Sequence, residues 1–145
     1  MQLPPRLEAL VLKQGLQPGT LPEADRALVL ALASCALEPG LVLREDDVNR
    51  RLIAWLGDIG TMLRTDHVEL RRWLVDTGLV ARDAWGSAYV RAQAELERAR
   101  AVLGSVDAAA LFAAVRAVRI AAQHARLARR RAFDARQVPG RSGRP

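Results

Sequence analysis

The stretch 66–91 constrains the fold most, because its pattern changes from helical to extended within a few residues. Leu70 and Leu74 fall on one arc of a helix with a 3.6-residue period. Asp66 can cap the start of this helix, and Gly78 can end it because glycine enters the left-handed conformation without a steric clash. The pattern predicts one amphipathic helix with Leu74 buried in the core.

A β-hairpin is predicted directly after that helix. The apolar run 79–81 precedes turn-forming residues at 83–86, and the segment 87–91 can return as a second strand. Helix, glycine, strand, turn and strand is the order of a recognition helix followed by its wing. We therefore predict a mainly α-helical fold, a winged helix-turn-helix with a small β-hairpin wing and extra N- and C-terminal helices. Trp85, at the turn, is expected to pack on the core, since a buried tryptophan contributes a large contact area.

The same segments resemble a known family. REDDVNRRL at 44–52, DHVELRRWLVDTGLVARD at 66–83 and GSAYVR at 86–91 are similar to the bacterial domain-of-unknown-function family 2087. Leu21-Pro22 resembles the start of that family's pattern, whereas Leu43 stands where the pattern suggests tyrosine. The resemblance implies a fold like a winged helix and an association with transcriptional regulators, without a settled activity.

Capping residues and changes in composition divide the chain into four parts. These are an N-terminal helix and turn (1–19), a winged-helix domain (20–91), a C-terminal helical extension for dimerisation and basic contacts (92–137), and a disordered tail (138–145). Thr20 and Glu23 are expected to form a capping box that opens a helix reaching about Leu37.

Smaller elements are predicted from local signals. Residues 41–43 form a short β candidate, placed where a winged helix pairs a first strand with its wing. In the helix that follows, Asp46 with Arg50 and Asp47 with Arg51 have the i,i+4 spacing of ion pairs.

Positive charge is concentrated in the second half of the chain. The net charge is +6, but residues 1–78 carry −2 and residues 79–145 carry +8. A basic half joined to an acidic half suggests a nucleic acid or another acidic surface as partner.

Several basic residues are candidates for DNA contact. Arg71 and Arg72 lie on the outward arc of the helix that starts at Asp66, where arginine can bind guanine or phosphate. The competing interpretation is surface ion pairing, for example between Arg72 and Asp76. Wing arginines can contact phosphate or the minor groove, and arginines near the C-terminus can supply diffuse positive potential. The full expected DNA-binding set is Val68, Arg71, Arg72, Arg82, Arg91, Arg129, Arg130 and Arg131.

A narrow apolar stripe in the C-terminal extension predicts helix packing. Its members follow one another at i, i+4, i+7 and i+11, which is typical of a helix that packs against one partner helix. By hypothesis that partner helix comes from a second copy, which makes the protein a homodimer. The dimerisation residues are Leu111, Val115, Val118 and Ala122.

Patterns typical of enzymes are not found in the sequence. His67 and His124 are isolated, the serines lie outside nucleophile motifs, and no glycine-rich phosphate loop is present. We expect no enzymatic activity, no cofactor and no metal, and no small-molecule effector is identifiable.

Cys35, the single cysteine, lies in the apolar run 27–37, which is shorter than the ~20 residues that span a bilayer. A buried reduced thiol, a cytoplasmic location and no membrane partner are expected.

The sequence leaves two functions open. The first is a DNA-binding transcriptional regulator that reads the major groove with the helix starting at Asp66. The alternative is a protein–protein interaction module without DNA binding, whose recognition face is covered by its own C-terminal helices. The basic C-terminal segment separates them: a position beside Arg71, Arg72 and Arg82 favours DNA binding, and packing across that helix favours interaction.

Overall fold

The computed structural model of the chain describes residues 1–137. This part is mainly α-helical with one antiparallel hairpin, as predicted, whereas the predicted tail 138–145 lies outside the described residues. Besides a 3₁₀ turn at Pro18–Thr20, its elements are α1 (Pro5–Val11), α2 (Glu23–Ser34), α3 (Glu45–Leu56), α4 (His67–Asp76), β1 (Ala81–Arg82), β2 (Tyr89–Val90), α5 (Gln93–Leu103) and α6 (Ala108–Arg136).

The ends of α4 agree with the sequence prediction. The Asp66 carboxylate accepts a hydrogen bond of 2.8 Å from the amide of Glu69, and Gly78 follows the helix with a φ of +75°. Leu70 and Leu74 are 0% and 1% exposed, so the predicted core face of this helix is confirmed.

The hairpin is joined by a third extended position. β1 and β2 pair through Ala81 with Val90 and Arg82 with Tyr89. On the other side of β2, Leu43 and Tyr89 exchange two backbone hydrogen bonds of 2.8 Å each. The predicted pairing of 41–43 with the second strand of the hairpin is therefore confirmed at Leu43.

The core is continuous and is centred on α2. Residues 29–33 of this helix are all 0% exposed, because α1, α4 and α5 pack around it. α3 packs against α4, and α6 packs against α1. This packing fixes the position of α4 relative to α2 and α3.

The predicted capping box at Thr20 is wrong. The N-cap of α2 is Pro22 and has no side-chain hydrogen bond, while the Thr20 hydroxyl donates to the carbonyl of Gln17 at 3.1 Å. Proline disfavours a helical conformation in the residue before it, and Leu21 is extended with a ψ of 147°. α2 therefore begins after Pro22, and it ends at Ser34, earlier than predicted.

The predicted i,i+4 ion pairs of α3 are also wrong. Arg50 pairs with Asp47 at i,i+3, and Arg51 bonds Glu38 at 2.9 Å. Glu38 belongs to the loop after α2, which lies beside α3 and offers Arg51 a carboxylate that helical spacing cannot reveal. Pairs this exposed contribute little to stability.

The second half of α6 extends away from the core. Every residue of 123–136 is exposed, and we call this segment the arm. At about 1.5 Å per residue it extends about 20 Å. The arm continues the helix that begins at Ala108, so its backbone hydrogen bonds extend those of the packed first half of α6.

Candidate nucleic-acid interface

The outward face of α4 is accessible. Arg72 and Asp76 are exposed and Val68 is half-buried, while the opposite face packs on α2 and α3. The helix against which α6 chiefly packs is α1, not α4. α4 is therefore not the main packing partner of the basic C-terminal helix.

A shallow groove runs between α4 and the hairpin. Its volume is about 200 Å³. Arg72 on α4 and Arg82 on β1 both border it and are both exposed. The groove therefore brings together three of the predicted DNA-binding arginines, two from α4 and one from the hairpin. It is lined by Arg71, Arg72, Val75, Asp76, Arg82 and Tyr89.

Arg71 does not lie free on the outward arc, contrary to the prediction. Its side chain is only 16% exposed, pairs with Glu45 at 3.2 Å and donates to the side-chain oxygen of Asn49. The hydroxyl of Tyr89 donates to the same carboxylate at 3.3 Å. Arg71 thus links α4, α3 and β2, because the acidic first turn of α3 lies beside it.

Arg91 is not available to DNA, which corrects a second prediction. It is 1% exposed, and its Nη1 donates to the carbonyl of Leu37 at 2.6 Å while its Nη2 lies 3.8 Å from the Cys35 sulfur. Tyr89 and Arg91 are two residues apart, and strand alternation turns both toward the core. Burial lowers the pKa of Arg91 and raises the pKa of the Cys35 thiol, which is buried as predicted.

Trp85 is not part of the core. It is 87% exposed at the tip of the hairpin. The amide of Ser87 donates to the Asp83 carboxylate at 2.7 Å, and Gly86 has a φ of +71°, so the turn is fixed by its own polar groups. The prediction is wrong because this self-contained turn holds its tip residue in solvent.

Two members of the predicted dimerisation stripe are buried in the core of the same chain. Leu111 and Val115 are 1% and 0% exposed, whereas Val118 and Ala122 are half-buried. α6 packs against α1 of the same chain. Leu111 and Val115 are therefore buried within one molecule and cannot contact a second copy in the folded protein.

The arm carries most of the exposed positive charge of α6. Arg129, Arg130 and Arg131 are all exposed, as a role in diffuse attraction requires. The arm also contains Arg126 and Arg136, and its only carboxylate is Asp134. Such a surface attracts anions over a distance that salt screening limits to about 10 Å at 0.1 M.

Sequence reasoning missed two further arrangements of cations. Arg26 of α2 lies over the ring of Trp73, 4.7 Å from its centroid. Arg119 of α6 donates to carbonyls of Val11 and Ile59, far away in the sequence. The one local signal was that Arg119 falls beside the apolar stripe of α6, where a charged side chain needs partners.

Metal binding finds no support in residues 1–137. This part of the chain contains no group of three or more histidine, cysteine, aspartate or glutamate side chains that could hold a metal ion.

The unit from α2 to β2 is a bacterial domain that recurs as a family. Residues 21–91 match the family described as an uncharacterized protein conserved in bacteria (DUF2087), and this part of the chain belongs to that family. The match begins just before α2 and ends at Arg91, so α1, α5 and α6 lie outside it. No curated protein and no solved structure matches the chain.

Proposed function

We propose that the chain is a DNA-binding transcriptional regulator in which the α2–β2 unit is a winged helix-turn-helix and α4 reads the major groove. The order α2, Leu43, α3, α4, β1, β2 supports this fold, with β2 between Leu43 and β1. The observation that carries the function is the position of Arg72 and Arg82. These exposed arginines border one groove between a helix and the hairpin that follows it.

The contact set differs from the one expected from sequence. Arg72 can bind a base edge or a phosphate from α4, Arg82 can bind phosphate from the wing, and Val68 can contact a thymine methyl. Asp76 borders the same groove and Glu69 is exposed near the start of α4, so phosphate is expected to approach between them, near Arg72. Arg71 supports the helix instead of contacting DNA.

A homodimer is part of this proposal. Two copies would present two α4 helices to half-sites about one DNA turn apart. Because Leu111 and Val115 are buried, the contact between copies would use the outer surface of α6, where Ile120 and Leu127 are 54% and 44% exposed. Sedimentation velocity of the wild type and of Ile120→Glu with Leu127→Glu tests this contact, and a monomeric wild type at high concentration would exclude it.

Selection of bound fragments from a random DNA pool at moderate salt tests the function. We expect an enriched motif whose binding requires Arg72 and Arg82. Arg100→Ala is the matched control, since Arg100 is exposed on α5, outside the proposed interface. A pool without any enriched sequence would contradict reading by α4.

The alternative proposal is a protein–protein interaction module, and the exposure of Trp85 favours it. Tryptophan is enriched among residues that dominate protein interfaces, and this one is 87% exposed. In this case Trp85→Ala would abolish capture of a protein partner, whereas on the DNA proposal it would leave motif preference unchanged. Competition between the motif duplex and the partner would show whether both use one surface.

We also propose a cytoplasmic location, although one helical stretch is apolar enough to be compared with a membrane span. The stretch Gln93–Arg136 contains an 18-residue window with a mean hydropathy of 1.7, long and apolar enough by composition to cross a membrane, and 17% of that window is buried. Gly104 interrupts the stretch in a left-handed conformation, and Arg116 pairs with Asp58. These features favour a helix that lies against its own domain, and fractionation of cells would test the location.

A further inference from the structure

A cleft between α1 and α6 has the chemistry of an anion site. It lies where the end of α1 and the residue Thr61 meet the middle of α6, and its volume is about 240 Å³. Cations and neutral hydrogen-bond donors line it, and no carboxylate is among its lining residues in the described part of the chain. Phosphoryl oxygens accept charge-assisted hydrogen bonds from such groups. The polar lining residues are Lys13, Gln14, Thr61, Arg119, Gln123 and Arg126.

Arg119 places a fixed positive charge in this cleft. Its guanidinium donates to the carbonyls of Val11 at 3.1 Å, Asp58 at 3.1 Å and Ile59 at 2.7 Å. Carbonyl groups hold the guanidinium in place without neutralising it. The nearby Asp58 carboxylate is itself bound by Arg116 at 2.6 Å. Burial lowers the pKa of Arg119, the expected effect on a cation removed from water.

The cleft continues onto the arm as a line of cations. Arg119, Arg126 and Arg130 stand at i, i+7 and i+11, so they follow one face of α6. Their spacing along the helix is about 10 Å and then about 6 Å. A strand of DNA carries a phosphate about every 3.4 Å along the duplex axis, so a polymer of phosphates can meet several of these cations together.

We propose that this cleft and the adjoining face of the arm bind backbone phosphates of DNA, at a second contact surface apart from α4 and the wing. The inference rests on the DNA-binding function proposed above. Contacts to phosphate carry no sequence information, so this surface adds affinity for any duplex and makes that affinity sensitive to salt.

The test removes two exposed cations and leaves Arg119 in place. The variant is Lys13→Ala with Arg126→Ala, and the control with the same charge change is Arg98→Ala with Arg100→Ala on α5. Fluorescence anisotropy at several salt concentrations follows binding to a selected duplex and to a scrambled one. We expect the first variant to weaken both duplexes by the same factor. The slope of log affinity against log salt should fall by about 0.9 for each phosphate that the variant no longer neutralises. A slope equal to that of the control would overturn the inference.

A second measurement probes the cleft without DNA. Inorganic phosphate is titrated into the full chain against chloride at matched ionic strength, and the side-chain amide signals of Gln14 and Gln123 are followed by NMR. We expect both signals to shift in the wild type and to stay unchanged in the Lys13→Ala, Arg126→Ala variant. Unchanged signals in the wild type would overturn the cleft as an anion site, although sequence preference through α4 would stand. Shifts in a wild type that binds no duplex would overturn the assignment to DNA and indicate a free phosphorylated compound.

Discussion

Arg71 of α4 and Glu45 of α3 form an ion pair, with Nη2 of the arginine 3.2 Å from the carboxylate. The pair crosses between the two helices that make up the proposed helix-turn-helix. Tyr89 of β2 bonds the same carboxylate, so one acidic side chain joins both helices to the hairpin. This arrangement changes the expected role of Arg71 from contacting DNA to holding α4 against α3 and the hairpin.

Replacing Arg71 should therefore affect stability more than sequence preference. Arg71→Ala removes the pair with Glu45 and the bond to Asn49. We expect a loss of about 1 kcal/mol, because solvent reaches the Glu45 side of the pair and screens it. Urea denaturation measures this loss. Arg72→Ala is the matched comparison, since Arg72 is exposed and its removal should leave the unfolding midpoint almost unchanged. If Arg71→Ala erased motif preference at unchanged stability, the supporting role would be wrong.

Leu74 should be among the positions most sensitive to truncation. It is 1% exposed, and Leu74→Ala would remove buried methyl groups and leave a cavity, at a cost of about 2–5 kcal/mol. Thermal and urea unfolding would measure the change. Val68→Ala on the half-buried side of the same helix should cost far less, and equal costs would contradict the assigned faces of α4.

The helix around Leu74 shows what could be predicted from sequence. Asp66 and Gly78 act on amides and carbonyls within a few residues, and a 3.6-residue period reports one face of one helix, so these features need no knowledge of the rest of the fold. The same holds for the turn before Ser87. The pairing of Leu43 with Tyr89 was predictable only because the winged-helix order supplied a template.

Side-chain roles were harder to predict, because they depend on which residues of another helix or strand lie opposite the side chain. Arg71 meets Glu45 and Arg91 meets the carbonyl of Leu37, each across a long interval of sequence. The alternation of Tyr89 and Arg91 did indicate a common face, but an arginine is seldom buried without a carboxylate. No local pattern distinguishes such a buried arginine from an exposed arginine of the hairpin.

Acid should weaken the fold through Asp25. Its carboxylate accepts bonds of 2.9 Å and 2.8 Å from Arg6, which hold the pKa of Asp25 below its ordinary value. A carboxyl group with a depressed folded-state pKa stabilises the protein above its unfolded pKa of about 3.9, and this contribution is lost as pH falls through the folded-state value. Urea unfolding from pH 6 down to pH 2 should therefore show stability that declines below about pH 4.

Arg6→Ala provides the control for this pH dependence. Without Arg6 the pKa of Asp25 should return toward its ordinary value, so the variant should be less stable at pH 6 and should lose less between pH 6 and pH 2. Arg50→Ala removes a more exposed arginine from a pair within one helix and should leave the acid dependence unchanged. Identical pH profiles for wild type and Arg6→Ala would show that the pair does not act on stability.

The last prediction separates the arginines of the proposed reading surface from those of the arm. Arg72 and Arg82 border the groove beside α4. There a bidentate contact of Arg72 to a base edge would discriminate sequences by about 1–3 kcal/mol, while Arg82 binds the adjoining phosphate. Arg129, Arg130 and Arg131 lie on the arm, which is exposed on all sides. They can contact phosphates, but nothing holds them in a fixed position relative to the bases. Arg72→Ala with Arg82→Ala should therefore remove preference for a selected duplex while leaving weak binding to any duplex.

Alanine at Arg129, Arg130 and Arg131 should have the opposite effect. All duplexes should bind more weakly by a common factor, and the salt dependence should flatten by about 0.9 in logarithmic slope for each phosphate left without its arginine. Titrations of both variants on selected and scrambled duplexes at several salt concentrations measure the two quantities separately. An Arg72, Arg82 variant that kept its full preference would exclude this groove as the reader. A triple variant that lost preference, but not general affinity, would move sequence reading from α4 to the arm.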